Sequence, residues 1–279
     1  MNQFLHRNII ITGSTGSGKS NFLNKIILTL IDENSSDDLN LVLIDPKGVE
    51  FGAYEGVAHI MSGVIYKSEE AKKFLSWILD ESIRRLDNKQ SKSALPEIVI
   101  IIDEFSDLIC SDKDFFEDCI EKITVVSDTT RIYFVISTSR PSPKDVYTDK
   151  IMNCFSNRIC FRVGSEDDSL LMIEQKGAEK LSEQGSCLIK DSANSKITSF
   201  QVPFISVEQM KEKIESIKAL YSYIYCFKCR ECSLEFRVFS WKNDWADKNI
   251  PFYPECGKEN IVFLDKKTSE KSISRLLYE

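Results

Sequence analysis

The stretch NIIITGSTGSGKSNFLNKIILTLI, Asn8 to Ile31, sets a β-branched run, a glycine-rich octet and a helical apolar pattern end to end. The octet Gly13–Ser20 fits G-x-x-x-x-G-K-[ST], and its residue types follow from what a polyphosphate requires. Glycines let successive backbone N–H groups turn inward, at a helix start that favours an anion. Gly13, Ser14, Thr15, Gly16, Ser17 and Gly18 are therefore expected to cradle the phosphates of ATP. Lys19 would reach the β- and γ-phosphates, and the Ser20 hydroxyl would ligate Mg2+. A purely structural glycine loop is the bland alternative, and the strand–loop–helix context disfavours it.

Such a site also needs a carboxylate on the metal side and a second one aimed at water. Two apolar runs end in aspartate: LVLIDPKGVE, Leu41–Glu50, and IVIIIDEFSDL, which starts at Ile98. Asp45 is followed by proline, whereas Asp103 is followed by Glu104. This selects Asp103 for Mg2+ and Glu104 for polarising the attacking water, with Asp45 as the runner-up.

Short β-branched runs alternate with helical stretches, the pattern of a mainly parallel sheet covered by helices. Strands are expected at Asn8–Thr12, Leu41–Asp45, Glu97–Asp103, Ile132–Thr138 and Arg158–Val163. A helix is expected from Ser68, its N-cap, with Phe74, Leu75, Ile78, Leu79, Ile83 and Leu86 on the core face. A second, Ser206–Tyr225, would join this motor to a tail of different texture that begins near Tyr223. The fold expected is α/β, a mainly parallel sheet with a P-loop NTPase phosphate loop, plus a small cysteine-containing β-rich domain. The divisions are 1–205 for the motor, 206–222 for the connecting helix and 223–279 for the tail.

The blocks GSTGSGKS, LIDPKGVEFGAY, IVIIIDEFSDL, TSRPS, NRICFRVGSEDDS and QKGAEKLSEQGSCL come one after another in order. Over about residues 8–205 the sequence resembles the FtsK/SpoIIIE motor domain. The resemblance implies a RecA-like sheet, ATP bound between subunits of a homo-oligomeric ring, usually a hexamer, and a substrate threaded through its pore. It makes the Leu41–Glu50 strand part of the family signature beside the nucleotide. It implies an arginine finger at Arg158, with Arg162 as the alternate and strand-end ion pairing as the bland reading of either. The family places glutamine where Ser139 stands, between Thr138 and Arg140, so γ-phosphate sensing there would need a bridging water. Arg140 and Lys144 are candidate pore contacts. Typical members carry a membrane anchor, a linker and a further motor subdomain ahead of the phosphate loop. This sequence opens on the motor, which suggests by analogy a reduced form of the kind mobile elements and viruses carry. Double-stranded DNA is the expected substrate, and a protein substrate, as in type VII secretion, is the alternative.

Bulk composition agrees with a protein that folds in water: 42% hydrophobic and 28% charged residues. No apolar run approaches the ~18 residues a membrane span needs, and no signal-peptide layout opens the chain, so a cytoplasmic location is expected. Net charge is −7, with 26 Lys+Arg against 34 Asp+Glu in residues 1–220 and 10 against 9 in 221–279. An acidic chain binds nucleic acid poorly in bulk, so DNA contacts must be local.

Nine cysteines in a reducing compartment argue for free thiols or a metal, not a disulfide framework. In YCFKCRECSLEFRV…PFYPECGKENIVFL, the pair Cys229 and Cys232 resembles one knuckle of a zinc ribbon. The second knuckle has only Cys256, so zinc would be held by Cys229, Cys232 and Cys256 with Cys226 or water as fourth ligand. The alternative is a metal-free ribbon held by its aromatic residues. Either form would serve as an adaptor for DNA or a partner protein. Cys110, Cys119, Cys154, Cys160 and Cys187 are expected to be buried.

Overall fold

We analysed a computed structural model of the chain. It describes residues 6–87, 95–139, 148–192 and 197–220, and the backbone of 194–196, 223–229, 235–240 and 261–268. The elements run β1 (Ile9–Thr12), α1 (Lys19–Glu33), β2 (Leu39–Ile44), β3 (Ile60–Ile65), α2 (Ser68–Asp87) and β4 (Glu97–Ile102). They continue through α3 (Phe105–Ile109), α4 (Lys113–Val125), α5 (Ser127–Thr130), β5 (Ile132–Thr138), α6 (Asp149–Cys154) and β6 (Asn157–Phe161). The last are α7 (Glu166–Ile173), β7 (Ser186–Asp191), β8 (Asn194–Gln201), α8 (Val207–Lys218), β9 (Tyr223–Cys229), β10 (Glu235–Ser240) and β11 (Ile261–Thr268).

Eight strands form one sheet in the order β3-β2-β4-β5-β1-β6-β7-β8. All pairings from β3 to β6 are parallel, and β7 and β8 add an antiparallel edge. The five strands expected from sequence are present, within two residues at their ends.

Both sheet faces are covered, which is why these strands read as continuous apolar runs instead of alternating ones. The period of two is still visible in what each side chain meets. Ile9, Ile11, Leu41, Leu43, Val99 and Ile101 pack with α1 and with Met210, Ile214 and Ile217 of α8. Ile10, Val42, Ile44, Ile100 and Ile102 pack against α2, α3 and α4. The helix expected to connect motor and tail thus supplies part of the motor core. It begins with a capping box between Ser206 and Gln209 and ends at Lys218, not Tyr225. Tyr223–Tyr225 belong instead to β9, the middle strand of an antiparallel sheet ordered β10-β9-β11.

Three further expectations are corrected. On α2, Ile83 and Leu86 are exposed while Glu81, Ser82 and Arg85 are buried. The Arg85 guanidinium donates to Glu81 Oε1 and to the Pro96 and Thr130 carbonyls, so a polar clamp takes the inner face at that end. Ser68 is the first helical residue instead of the cap, the Lys67 carbonyl accepting from the Ala71 N–H. Of the five cysteines expected inside, Cys119, Cys160 and Cys187 are buried, but Cys110 is exposed and Cys154 half-buried.

Candidate functional site

Because six strands run parallel, their carboxyl ends gather on one edge of the sheet. Open α/β sheets bind ligands at this edge. Here β1 opens into the phosphate loop, β4 into Asp103 and Glu104, β5 into Ser139, and β2 into Asp45. Register fixes the neighbourhood: Thr12 pairs with Thr138, Ile136 with Ile102, and Ile102 with Ile44. The end of β5 therefore lies between the phosphate loop and the two carboxylates.

The loop uses left-handed backbone at Gly13 (φ 156°), Gly16 (78°) and Gly18 (112°). Two of these glycines are also required by close approach. A Cβ on Gly13 would fall 2.6 Å from Phe161 Cβ, and one on Gly18 2.8 Å from Gly185 Cα. Gly185 donates its N–H to the Ser17 carbonyl, so the turn before β7 buttresses the loop from below. Among the described residues the N–H groups of Gly18, Lys19 and Ser20 find no acceptor, and Ser17 Oγ is buried without a partner. This is an anion-shaped deficit at a helix N-terminus. Lys19 is folded back, its Nζ donating to the Gly13 carbonyl at 2.5 Å and the Ser14 carbonyl at 3.3 Å. Burial pulls its pKa down, against the opposing pull of Glu104 and Asp103.

Among the described residues Asp103 accepts one side-chain hydrogen bond, from Ser137 Oγ at 2.6 Å. Burial raises its pKa, the Ser137 bond opposes that, and Glu50, Glu104 and Asp45 push it further up. Glu104 is the reverse case. It sits in left-handed backbone (φ 50°, ψ 58°), which costs a non-glycine residue ~1–2 kcal/mol. Its Oε1 accepts from Ser106 Oγ (2.8 Å), Ser139 N (2.9 Å) and Thr138 Oγ1 (3.2 Å). Its Oε2 accepts from Ser139 Oγ (2.6 Å) and Lys47 Nζ (2.9 Å). Burial works to raise its pKa, but Ser139, Lys47 and Ser106 outweigh it and bring it down to about 2.

Asp45 is fully buried and turned away from this chemistry. Its Oδ1 accepts from Gly48 N (2.9 Å), and its Oδ2 from Glu50 N (2.8 Å) and Phe51 N (3.1 Å). The carboxylate thereby folds residues 46–51 into a compact loop. That loop delivers Lys47 to Glu104 and Glu50 to Ser20, whose Oγ donates to Glu50 Oε1 at 2.7 Å. Neither contact was foreseen from sequence, although the charges of DPKGVE were the available signal.

Over residues 2–93 the chain matches the model of the FtsK/SpoIIIE family. A DNA translocase FtsK from Caldanaerobacter subterraneus subsp. tengcongensis is 34% identical over 274 residues, 93% of this chain. The chain is thus similar to the FtsK/SpoIIIE family, through the family model at residues 2–93 and through this relative over most of the chain's own length. It spans 38% of that relative's length. Among solved structures, the pCW3 conjugation coupling protein TcpA, bound to ATPγS, aligns at a TM-score of 0.65 and 27% identity. That alignment covers 77% of this chain and 66% of TcpA. The cytoplasmic domain of the Thermomonospora curvata type VII secretion ATPase EccC shares the fold, at 0.62 and 22% over 76% of this chain and 28% of its own. The mostly parallel sheet is thus that of the RecA-like P-loop ATPases.

The two candidate arginines differ sharply. Arg158 lies at the amino end of β6 with its side chain 12% exposed. Its guanidinium donates to the carbonyls of Phe155 (2.9 Å), Met152 (3.1 Å) and Met172 (3.3 Å), closing the ends of α6 and α7. Arg162 is exposed at the carboxyl end of β6, where its carbonyl accepts from the Ser14 N–H of the phosphate loop. Arg140, Lys144, Cys232 and Cys256 lie outside the described residues, as do the side chains of Cys226 and Cys229. Among the described residues no three His, Cys, Asp or Glu side chains converge as metal ligands, and no helix is long and apolar enough to cross a membrane.

Proposed function

We propose that this chain is an ATP-hydrolysing motor that assembles into a ring, a hexamer, and moves double-stranded DNA. The observation that carries the chemistry is the pair Asp103–Glu104, set beside the phosphate loop with the hydroxyls and N–H of β5 between them. Gly13–Ser20 hold the phosphates, with Lys19 released from its own loop carbonyls to reach them. Ser20 and Asp103 hold the Mg2+, a hard cation suited to one carboxylate, a hydroxyl and phosphate oxygens. That cation neutralises charge on the phosphates and orients them for in-line attack. The mutual repulsion of Asp103 with Glu50, Glu104 and Asp45, offset among the described residues by Lys19 and Lys47, supports a divalent cation there. Glu104 takes the proton of the attacking water once Ser139 gives up its grip.

The finger role passes from Arg158 to Arg162. Three carbonyls hold Arg158 within its own subunit, whereas Arg162 is exposed. Arg162→Ala should lower turnover by about 10³–10⁵-fold, and a mixture with Glu104→Gln subunits should regain partial activity. Arg158→Ala should instead lower thermal stability.

The DNA substrate rests on the relative's description as a DNA translocase and on the coupling protein's role in conjugation. Transfer or packaging for a mobile element or virus is the setting that fits. The tail, 223–279, continues from the motor as an adaptor, with one zinc on its cysteines. The test is ATP hydrolysis with and without linear double-stranded DNA at two salt concentrations. DNA should stimulate, and the stimulation should fall steeply with salt as phosphate contacts release counterions. No stimulation by DNA, with stimulation by a helical protein partner instead, would give the motor a protein substrate.

A further inference from the structure

The Ser20 hydroxyl has one proton and two lone pairs, and it is free to rotate unless something fixes the proton. Here Glu50 fixes it, accepting at 2.7 Å. Glu50 is itself anchored, since its N–H donates to the fully buried Asp45. A second clamp ties the same two segments. Buried Tyr54, three residues beyond Phe51, donates its Oη to Asn24 Oδ1 at 2.8 Å, and Asn24 Nδ2 donates to the Ser20 carbonyl at 2.9 Å. The loop therefore grips Ser20 by its backbone on one side and its side chain on the other. Among the described residues no cation lies within ion-pair distance of Glu50, so this carboxylate is spent on a neutral hydroxyl.

We propose that Glu50 is a positioning residue for the divalent cation: by holding the Ser20 proton it turns the oxygen's lone pairs towards the metal and makes that oxygen a better ligand. This rests on the assignment of Ser20 as a metal ligand made above. A carboxylate that accepts from a metal-bound group is a common outer-shell device, and losing it costs about 10–100-fold in metal affinity. Glu50 acts through Ser20 and does not touch the nucleotide.

The test measures binding of a fluorescent ATP analogue to the full chain, in EDTA and across a titration of free Mg2+. Glu50→Ala should raise the half-saturating Mg2+ concentration by about 10–100-fold, while EDTA affinity stays within about twofold. Glu50→Gln, whose carbonyl still accepts a hydrogen bond, should shift it less. Ser20→Ala should shift it as far as Glu50→Ala, and adding Glu50→Ala to Ser20→Ala should change nothing more. An unchanged Mg2+ dependence in Glu50→Ala overturns the proposal. So does an equal loss of affinity in EDTA, which would mean the loop merely props the phosphate site, or full additivity with Ser20→Ala. If Ser20→Ala leaves the Mg2+ dependence untouched, it is the ligand assignment itself that fails.

Discussion

Asp45 and Asp103 stand one residue past the paired Ile44 and Ile102, at the ends of neighbouring parallel strands, yet their surroundings are opposite. Asp45 has both oxygens filled by three backbone N–H groups. Among the described residues Asp103 has a single hydroxyl partner, and it is destabilised as a charge by burial and by nearby carboxylates. The difference arises in the direction the chain takes after each residue. After Asp45, Pro46-Lys47-Gly48 reverses the chain, with Gly48 at φ 68°, so the loop's own N–H groups fall back on the carboxylate. After Asp103, Glu104 turns left-handed and leads into α3, so the chain moves away and leaves the carboxylate open. Two aspartates that look alike in sequence thus become a loop organiser and a candidate ligand.

Between these two strand ends, the largest effect should come from the residue that only the second strand has. Glu104→Gln should keep nucleotide affinity and lower turnover by about 10²–10⁴-fold, the worth of a positioned general base. Single-turnover hydrolysis beside nucleotide binding separates the two. Normal turnover would return Asp45's strand to contention.

Next comes a crossed pair, measured without nucleotide or Mg2+. Asp45→Asn replaces one accepting oxygen by an NH2 that faces a backbone N–H donor, and should cost roughly 2–4 kcal/mol of stability. Asp103→Asn should cost none. A carboxylate whose pKa is raised by folding binds protons more readily in the native state, so its charge takes stability away as pH rises above the ordinary carboxylate range. Removing that charge removes the penalty, and Ser137 can still donate to the amide oxygen. Denaturant melts of both variants at neutral pH check this. Equal destabilisation would break the contrast.

The same physics decided how much was readable in the sequence. The central strands carry unbroken Ile/Val runs because helices cover both faces, and the phosphate loop and Asp103–Glu104 are local patterns. The strands missed were those without that signature. β3 carries Gly63 at φ 74° and a register shift, and β7 and β8 are an antiparallel edge whose few apolar residues are interrupted by polar ones. The overlong α8 arose because Tyr223–Tyr225 carry on an apolar pattern with no breaker, and β-pairing claims them instead. On α2, period alone could not tell Leu86 from Arg85, because the burial of Arg85 depends on two carbonyls distant in sequence. Lys47 and Glu50 were invisible as site residues for a related reason. Their contacts exist only once Asp45 has folded the loop back over α1 and β4.

The smallest effect concerns the link that this loop makes between the two strands. Lys47 Nζ lies 2.9 Å from Glu104 Oε2 and 3.9 Å from Asp107, and its side chain is 47% exposed. With Lys47 and four other donors in place, Glu104 has no lone pair free for water. Lys47→Ala removes the one charged restraint among the described residues and leaves the Ser106, Thr138 and Ser139 contacts. An ion pair this exposed is worth up to about 1 kcal/mol, so the fraction of Glu104 free to act should rise by at most about fivefold. Hydrolysis without DNA should increase by that factor, and Lys47→Arg, which keeps a donor and the charge, should stay near the original rate. A fall of a hundredfold or more would mean that Lys47 serves the phosphates directly. The loop that Asp45 organises would then be part of the chemistry, not its restraint.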